Sequence, residues 1–230
     1  MSQNAPVQSV QSAPPAPAPT IADPAPLGLG AFALTTFLLS AKNAGLTHGT
    51  DAWLGYAFAY GGLVQLLAGM WEFRNRNVFG ATAFSTYGAF WIGLGLYIQL
   101  VAGGAANAAQ VDNDLGWILL AFAIFNTYML LWSLRVNVAV FLVFLTLEAT
   151  EIVLFISFFS GNANLTKVGG YVGIVTAAVA WFASAALVAN GMAARRVVPV
   201  GQPIWRERTP QQPSVQAAPP ASSSVQTRVS

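Results

Sequence analysis

The chain has 230 residues, of which 55% are hydrophobic and only 8% are charged, and its formal net charge at pH 7 is +2. Soluble domains carry roughly a quarter charged residues, so this composition excludes an ordinary soluble protein and indicates an integral membrane protein. The small net charge and scattered basic residues argue against a nucleic-acid partner, and the absence of cysteine excludes disulfides and thiolate metal sites.

The two ends of the chain differ in composition from its middle. Residues 1–22 are rich in Pro, Ala, Gln and Ser, and residues 202–230 are rich in Pro, Gln and Ser. Such segments are predicted to be disordered tails, and the first lacks the charged and apolar regions of a signal peptide. Residues 23–201 between them form one predicted membrane domain.

The first predicted helix begins at a strong start signal. Asp23 can cap a helix whose first turn holds Pro24, which lacks the N–H group that a helix start leaves unpaired. The apolar run that follows carries a single charge, Lys42, before Asp51. This pattern is typical of a transmembrane helix that starts at a polar boundary.

Six apolar segments follow one another along the middle of the chain, each near or above the roughly 20 residues that span a membrane. They lie at about 27–47, 52–72, 79–102, 114–134, 136–160 and 166–193. The predicted fold is therefore an all-α integral membrane protein with six transmembrane helices.

Charge asymmetry between the connections predicts the orientation. Arginines follow the even-numbered segments, whereas only lysines follow the odd-numbered ones. The residues concerned are Arg74, Arg76, Arg135, Arg195 and Arg196 on one side and Lys42 and Lys167 on the other. The positive-inside rule then places both termini in the cytoplasm.

Several different short motifs follow one another along the membrane part of the chain. They are Asp23-Pro24-Ala25-Pro26-Leu27-Gly28-Leu29, Phe32 with Thr35-Thr36, Tyr60-Gly61-Gly62 with Gln65, Thr82-Ala83-Phe84, Tyr87-Gly88 and Phe90-Trp91. Together they resemble the acetate uptake transporter (AceTr) family, which includes the bacterial succinate–acetate permeases. The family motif usually opens with Asn, so Asp23 is a departure that keeps the capping capacity and adds a negative charge.

The resemblance implies a six-helix protomer in the cell membrane, commonly assembled as a homo-hexamer, with a monocarboxylate pathway through each protomer. It also implies a narrow constriction formed by Phe32, Tyr87 and Leu147. At ~1.5 Å per residue, these three residues lie roughly 8, 12 and 17 Å from the starts of their helices, and Gln65 lies about 10 Å deep. Helix geometry thus allows all four to converge at one level.

The chemistry of such a gate suits acetate, which has an apolar methyl group and an anionic carboxylate. Phe32 and Leu147 can exclude water and contact the methyl group. Neutral donors that can bind the carboxylate are Tyr87, Gln65, Thr35 and Thr36. Ordinary helix packing is the alternative for each of these residues, through core or lipid contacts for the apolar ones and interhelical hydrogen bonds for the polar ones.

Two acids, Glu148 and Glu151, stand near the middle of the fifth segment and, at i and i+3, share a helix face. Buried acids are costly, so they become protonated or find partners, and no basic residue lies at comparable depth. The two interpretations are a proton-coupling pair and a neutral acid bonded to another helix or protomer. Glu148, adjacent to Leu147, is the nearer candidate for coupling.

The predicted function is membrane transport of acetate, with succinate as a second candidate, by proton symport or channel-like flow. An enzyme would need a nucleophile with its base or a metal cluster, and neither spacing is present. The single histidine, His48, lies in a predicted loop, so neither a metal nor a cofactor is expected. The alternative function is a non-transporting membrane scaffold or sensor, which leaves the pathway motifs unexplained.

Overall fold

The computed structural model describes residues 21–47, 52–102 and 107–206. Most of the two predicted tails, and the loop that contains His48, lie outside the described residues. Every regular element in the described ranges is a helix. The helices are α1 (Ala25–Asn43), α2 (Ala52–Phe58), α3 (Gln65–Arg74), α4 (Val78–Tyr97), α5 (Ala108–Ser133), α6 (Val138–Ser160) and α7 (Ala163–Met192).

The described ranges also contain two π-helical turns. The first, Ala59–Val64, joins α2 to α3 without a break, so that residues 52–74 form one rod. The second, Ile98–Ala102, extends α4. Among the described residues, five stretches are long and apolar enough to cross a membrane: Ala25–Asn43, Val78–Val101, Ala109–Ser133, Val138–Ser160 and Ala163–Met192. The predicted second span corresponds to the rod. The π-helical turn Ala59–Val64 divides this rod into the shorter helices α2 and α3.

Local signals explain where the helices begin. The Asp23 carboxylate accepts a hydrogen bond, at 2.9 Å, from the backbone N–H two residues further on, and Pro24 stands directly before the first helical residue. Asn77, Asn137 and Asn162 begin α4, α6 and α7, and the side chain of each accepts a bond from a backbone N–H of the first turn. Asn is among the preferred residues at this position.

The start of α5 differs from its predicted position at residue 114, because the helix begins at Ala108. A capping box causes the difference. The Asn107 side chain accepts from the Ala109 N–H at 2.8 Å, and the Gln110 side chain accepts from the Asn107 N–H at 3.3 Å. The acids Asp112 and Asp114, which the predicted boundary placed before or at the start of the helix, lie inside α5, beyond its first turn.

The helix α1 is central to the packing. It lies along α7 on one side and against the rod of α2 and α3 on the other, while α6 packs between α5 and α7. Glycines allow the close approach on both sides. A Cβ on Gly61 would lie 2.5 Å from Thr35 Oγ1, and one on Gly170 would lie 2.7 Å from the Ser40 carbonyl oxygen. The main buried cluster draws its residues from α1, α4, α5, α6 and α7.

The segment after α7 packs against the helices up to the last described residue. The Trp205 N–H donates to the Leu134 carbonyl at 2.9 Å, and its ring stacks on Trp132 with the centroids 5.9 Å apart. The Arg135 guanidinium lies 5.2 Å from the centre of the Trp205 ring. Ordered packing therefore continues beyond the predicted domain boundary at residue 201.

Both described ends of the chain lie at the same end of the bundle. The Ser184 hydroxyl of α7 donates to the Pro26 carbonyl at the start of α1, at 2.6 Å. We call this the arginine end, because the helix ends here carry Arg74, Arg76, Arg135, Arg195 and Arg196. The opposite end carries Lys42 and Lys167 and is called the lysine end.

Candidate functional site

The three residues of the predicted constriction meet in the middle of the bundle. Phe32 of α1, Tyr87 of α4 and Leu147 of α6 are buried, and all three line two cavities that they separate. The rings of Phe32 and Tyr87 meet edge to face, with their centroids 5.8 Å apart. We call these three residues the gate.

Gln65 reaches the gate from the rod. It lines the cavity on the arginine side of the gate, is 1% exposed, and its Oε1 has no hydrogen-bond partner among the described residues. It is the first residue after the π-helical turn Ala59–Val64. Such a turn contains an extra residue relative to an α-helical turn, which changes the direction of the side chains that follow it.

Four cavities lie in series through the bundle. From the arginine end they measure about 190, 20, 50 and 200 Å³, and the gate separates the second from the third. Neighbouring cavities share lining residues, such as Phe84 for the first two and Leu119 for the last two. One water needs roughly 10–15 Å³, so the cavity of about 20 Å³ admits about one water, and the two smallest cavities lie on either side of the gate.

The third cavity combines apolar walls with a few neutral polar groups. Thr36, Ser40 and Asn43 line it from one face of α1, since they are spaced at i, i+4 and i+7. The Thr36 Oγ1 and the Trp91 Nε1 are buried without a hydrogen-bond partner among the described residues. The indole N–H of Trp91 is a candidate donor that sequence reasoning missed, although the Phe90-Trp91 pair belongs to the motif series.

Thr35 lies apart from these four cavities. Its hydroxyl oxygen is 3.1 Å from the Ala31 carbonyl oxygen and 3.4 Å from the Tyr56 carbonyl oxygen. The side chain is fully buried where α1 meets the glycines of the rod. Of the two interpretations given for Thr35, the structure favours helix packing over contact with a substrate.

The two glutamates of α6 have different surroundings. Glu151 lines the third cavity, is 3% exposed, and has Oε1 3.3 Å from the Tyr87 hydroxyl and Oε2 without a partner among the described residues. Glu148 turns towards α5, where it accepts from Asn126 Nδ2 at 2.6 Å and from Thr127 Oγ1 at 2.7 Å. Glu148 lines none of the four cavities in the series.

The expected order of these two acids is therefore reversed. Glu148 follows Leu147 directly in the sequence, but successive residues point in directions about 100° apart on a helix. Glu151 stands four residues after Leu147 and so lies on the same face, one turn along. Nearness to the gate follows the helical period, not adjacency in the sequence.

Asn126 of α5 connects the gate to Glu148, and sequence reasoning did not identify it. Its Oδ1 lies 3.1 Å from the Tyr87 hydroxyl, and its Nδ2 donates to the Phe144 carbonyl at 3.0 Å and to Glu148. Asn126 is fully buried. The only signal in the sequence was one amide side chain inside the long apolar run of α5.

Comparisons with known proteins agree with the motif series. Residues 7–202 match the model of the GPR1/FUN34/yaaH family. The chain is 42% identical over 203 residues to acetate permease A of Emericella nidulans, covering 80% of this chain and 67% of that protein. It is 32% identical over 182 residues to the succinate-acetate/proton symporter SatP of Escherichia coli, covering 79% and 96%.

Comparison with a solved structure agrees with these sequence matches. The structure of the bacterial acetate channel SatP superposes with a TM-score of 0.73 at 34% identity, covering 79% of this chain and all of that one. The chain spans about two thirds of the length of its fungal relatives and nearly the whole of bacterial SatP. The family resemblance predicted from the motifs and the all-helical membrane fold are both confirmed.

Proposed function

The chain belongs to the GPR1/FUN34/yaaH family, and on this premise we propose that it transports small carboxylates, with the monocarboxylate acetate foremost and the dicarboxylate succinate as a second substrate. The observation that supports this most strongly is the series of cavities that narrows at three buried side chains from three helices. The relatives named above are a permease, a symporter and a channel, which agrees with the prediction that the chain is not an enzyme.

The proposed topology has six membrane spans, with the rod at residues 52–74 as the second. The arginine end faces the cytoplasm, which places both termini there and follows the positive-inside rule. The transport domain comprises residues 23–201 and the packed segment up to Arg206, between the two tails. The exposed apolar helix faces contact the lipid of the cell membrane and neighbouring protomers of a homo-hexamer.

The lining suits a small carboxylate at both of its ends. Phe32 and Leu147 offer apolar surface to the methyl group, while Gln65, Thr36 and Trp91 offer neutral donors to the carboxylate. Neutral donors compensate the lost hydration of the anion without the full charge of an arginine. An ion pathway must bind its ion strongly enough for entry and weakly enough for release.

A charge on Glu151 would oppose the passage of an anion. Two like charges 4 Å apart repel by about 4 kcal/mol at an effective dielectric constant near 20. Glu151 lines the cavity next to the gate, so acetate passes when Glu151 holds a proton. Proton symport results if Glu151 gains and loses that proton in each cycle, and channel-like flow results if it keeps the proton throughout.

Uptake of radiolabelled acetate into proteoliposomes that contain the purified protein tests the proposed transport. We expect initial uptake well above that of empty liposomes, and competition by unlabelled acetate and succinate. The empty liposomes correct for acetic acid that crosses the lipid unaided. Uptake equal to that of empty liposomes at every imposed pH gradient would favour the alternative, a non-transporting scaffold or sensor.

A further inference from the structure

The Tyr87 hydroxyl has one proton and two acceptors within reach. Asn126 Oδ1 lies at 3.1 Å and Glu151 Oε1 lies at 3.3 Å. When Glu151 is protonated, its O–H can donate to the Tyr87 oxygen while Tyr87 donates to Asn126. When Glu151 is ionised, it has no proton to give and competes with Asn126 for the Tyr87 proton.

The direction of the Asn126 amide is fixed by its other partners. Its Nδ2 has two protons, and these go to the Phe144 carbonyl at 3.0 Å and to Glu148 Oε2 at 2.6 Å. Both partners accept, so the NH₂ group belongs on that side and the carbonyl oxygen faces Tyr87. Asn126 therefore offers Tyr87 a permanent acceptor.

We propose that Asn126 is a positioning residue that holds the Tyr87 hydroxyl away from Glu151 and so sets the pH range in which the gate conducts carboxylates. This inference rests on the proposed transport function. By accepting the Tyr87 proton, Asn126 favours the arrangement in which Glu151 is protonated and donates to Tyr87. Without that acceptor, Tyr87 donates to ionised Glu151, and a hydrogen bond to the charged form favours that form.

The other ionisable and polar side chains near Glu151 lie on the helices that surround the third cavity. Glu148 shares the helix of Glu151 but points towards α5, where it accepts from Asn126 and Thr127. Tyr128 of α5 packs its ring on that of Phe125, which in turn contacts the ring of Tyr87. The other polar side chains that line the third cavity are Thr36, Ser40 and Asn43 of α1, Trp91 of α4 and Thr150 of α6. Thr176 of α7 is bonded to Thr150 at 3.0 Å.

The test measures acetate exchange in proteoliposomes at equal internal and external pH, from about pH 5 to 8, where buried carboxyl groups can titrate. Wild-type exchange is expected to fall as the pH rises through this range. In Asn126→Leu, which keeps the branched arrangement of four heavy atoms and loses the acceptor, the midpoint of the fall is expected to move to lower pH by roughly 0.5–1 unit, the effect of one hydrogen bond.

Two further variants keep the test decisive. Asn126→Ser is smaller, can bond the backbone of its own helix, and does not reach Tyr87, so it gives the same shift if Asn126→Leu fails to fold. In a Tyr87→Phe background, Asn126→Leu is expected to move the midpoint no further, because its effect passes through the Tyr87 hydroxyl.

Each contrary outcome has one meaning. Wild-type exchange equal to that of empty liposomes would refute the proposed transport function itself. Wild-type exchange that does not change over this range, or a midpoint that stays in place in the folded Asn126 variants, would overturn the positioning role while transport stands. An undiminished shift in the Tyr87→Phe background would also overturn it.

Discussion

Glu151→Gln is expected to abolish the acetate accumulation that an imposed pH gradient drives, while acetate exchange continues. Gln keeps the shape of the side chain and stays neutral, so it does not repel the anion and cannot take up or release a proton. A gradient of one pH unit can drive about a tenfold accumulation if one proton accompanies each acetate, because a tenfold ratio corresponds to 1.4 kcal/mol. In the variant, the gradient-driven uptake that exceeds that of empty liposomes is expected to disappear.

Glu148→Gln is the matched control, since it makes the same change one turn away, on a side chain that lines none of the four cavities in the series. It is expected to keep most of the accumulation. The measurement uses initial rates with the rate of empty liposomes subtracted. Accumulation that is unchanged in both variants would eliminate the two glutamates as the coupling site and leave a channel, or a proton carried on the acid itself.

Leu147→Ala is expected to let lactate and succinate pass better relative to acetate. The substitution removes three carbon atoms from the gate, which lies between the cavities of about 20 and 50 Å³. One methylene in a tight apolar site changes selectivity by roughly 10–200-fold, so we expect the uptake ratio of lactate to acetate to rise about tenfold. Uptake of each labelled acid into proteoliposomes gives this ratio.

Leu145→Ala is its control, because Leu145 lies on the same helix and is 42% exposed on the outer surface. The control is expected to leave the ratio unchanged. Burial of Leu147 means that some stability is also lost, since Leu→Ala in a core typically costs about 2–5 kcal/mol. Lower yield with a fixed ratio would identify Leu147 as a packing residue only.

Helix length and depth made much of the architecture predictable. Apolar segments of spanning length predicted the helices. Phe32, Tyr87 and Leu147, the constriction implied by the family resemblance, were expected together with Gln65 at depths that allow them to meet. The structure brings these four to neighbouring cavities. The start of α5 was predicted too far along the chain because charged side chains lower the hydropathy of the first residues of this helix. The capping residue Asn107 determines where the helix begins.

Contacts between helices were harder to predict. The importance of Asn126 depends on which residues of α4 and α6 face it, and no spacing within α5 contains that information. The same holds for Thr35, whose hydroxyl lies 3.1 Å from the Ala31 carbonyl of its own helix and 3.4 Å from the Tyr56 carbonyl of α2. The order of Glu148 and Glu151 was predictable in principle from the helical period, since it required only the angle of each from Leu147.

A single introduced thiol tests most directly whether carboxylates pass between Phe32, Tyr87 and Leu147. The chain contains no cysteine, so Leu147→Cys and the outward-facing control Leu145→Cys each present one target to a small thiol-specific methanethiosulfonate reagent. A pathway through the gate predicts that modification at position 147 removes most of the acetate flux, that saturating acetate slows this modification, and that modification at position 145 changes nothing. Complete modification at position 147 with undiminished flux would contradict it.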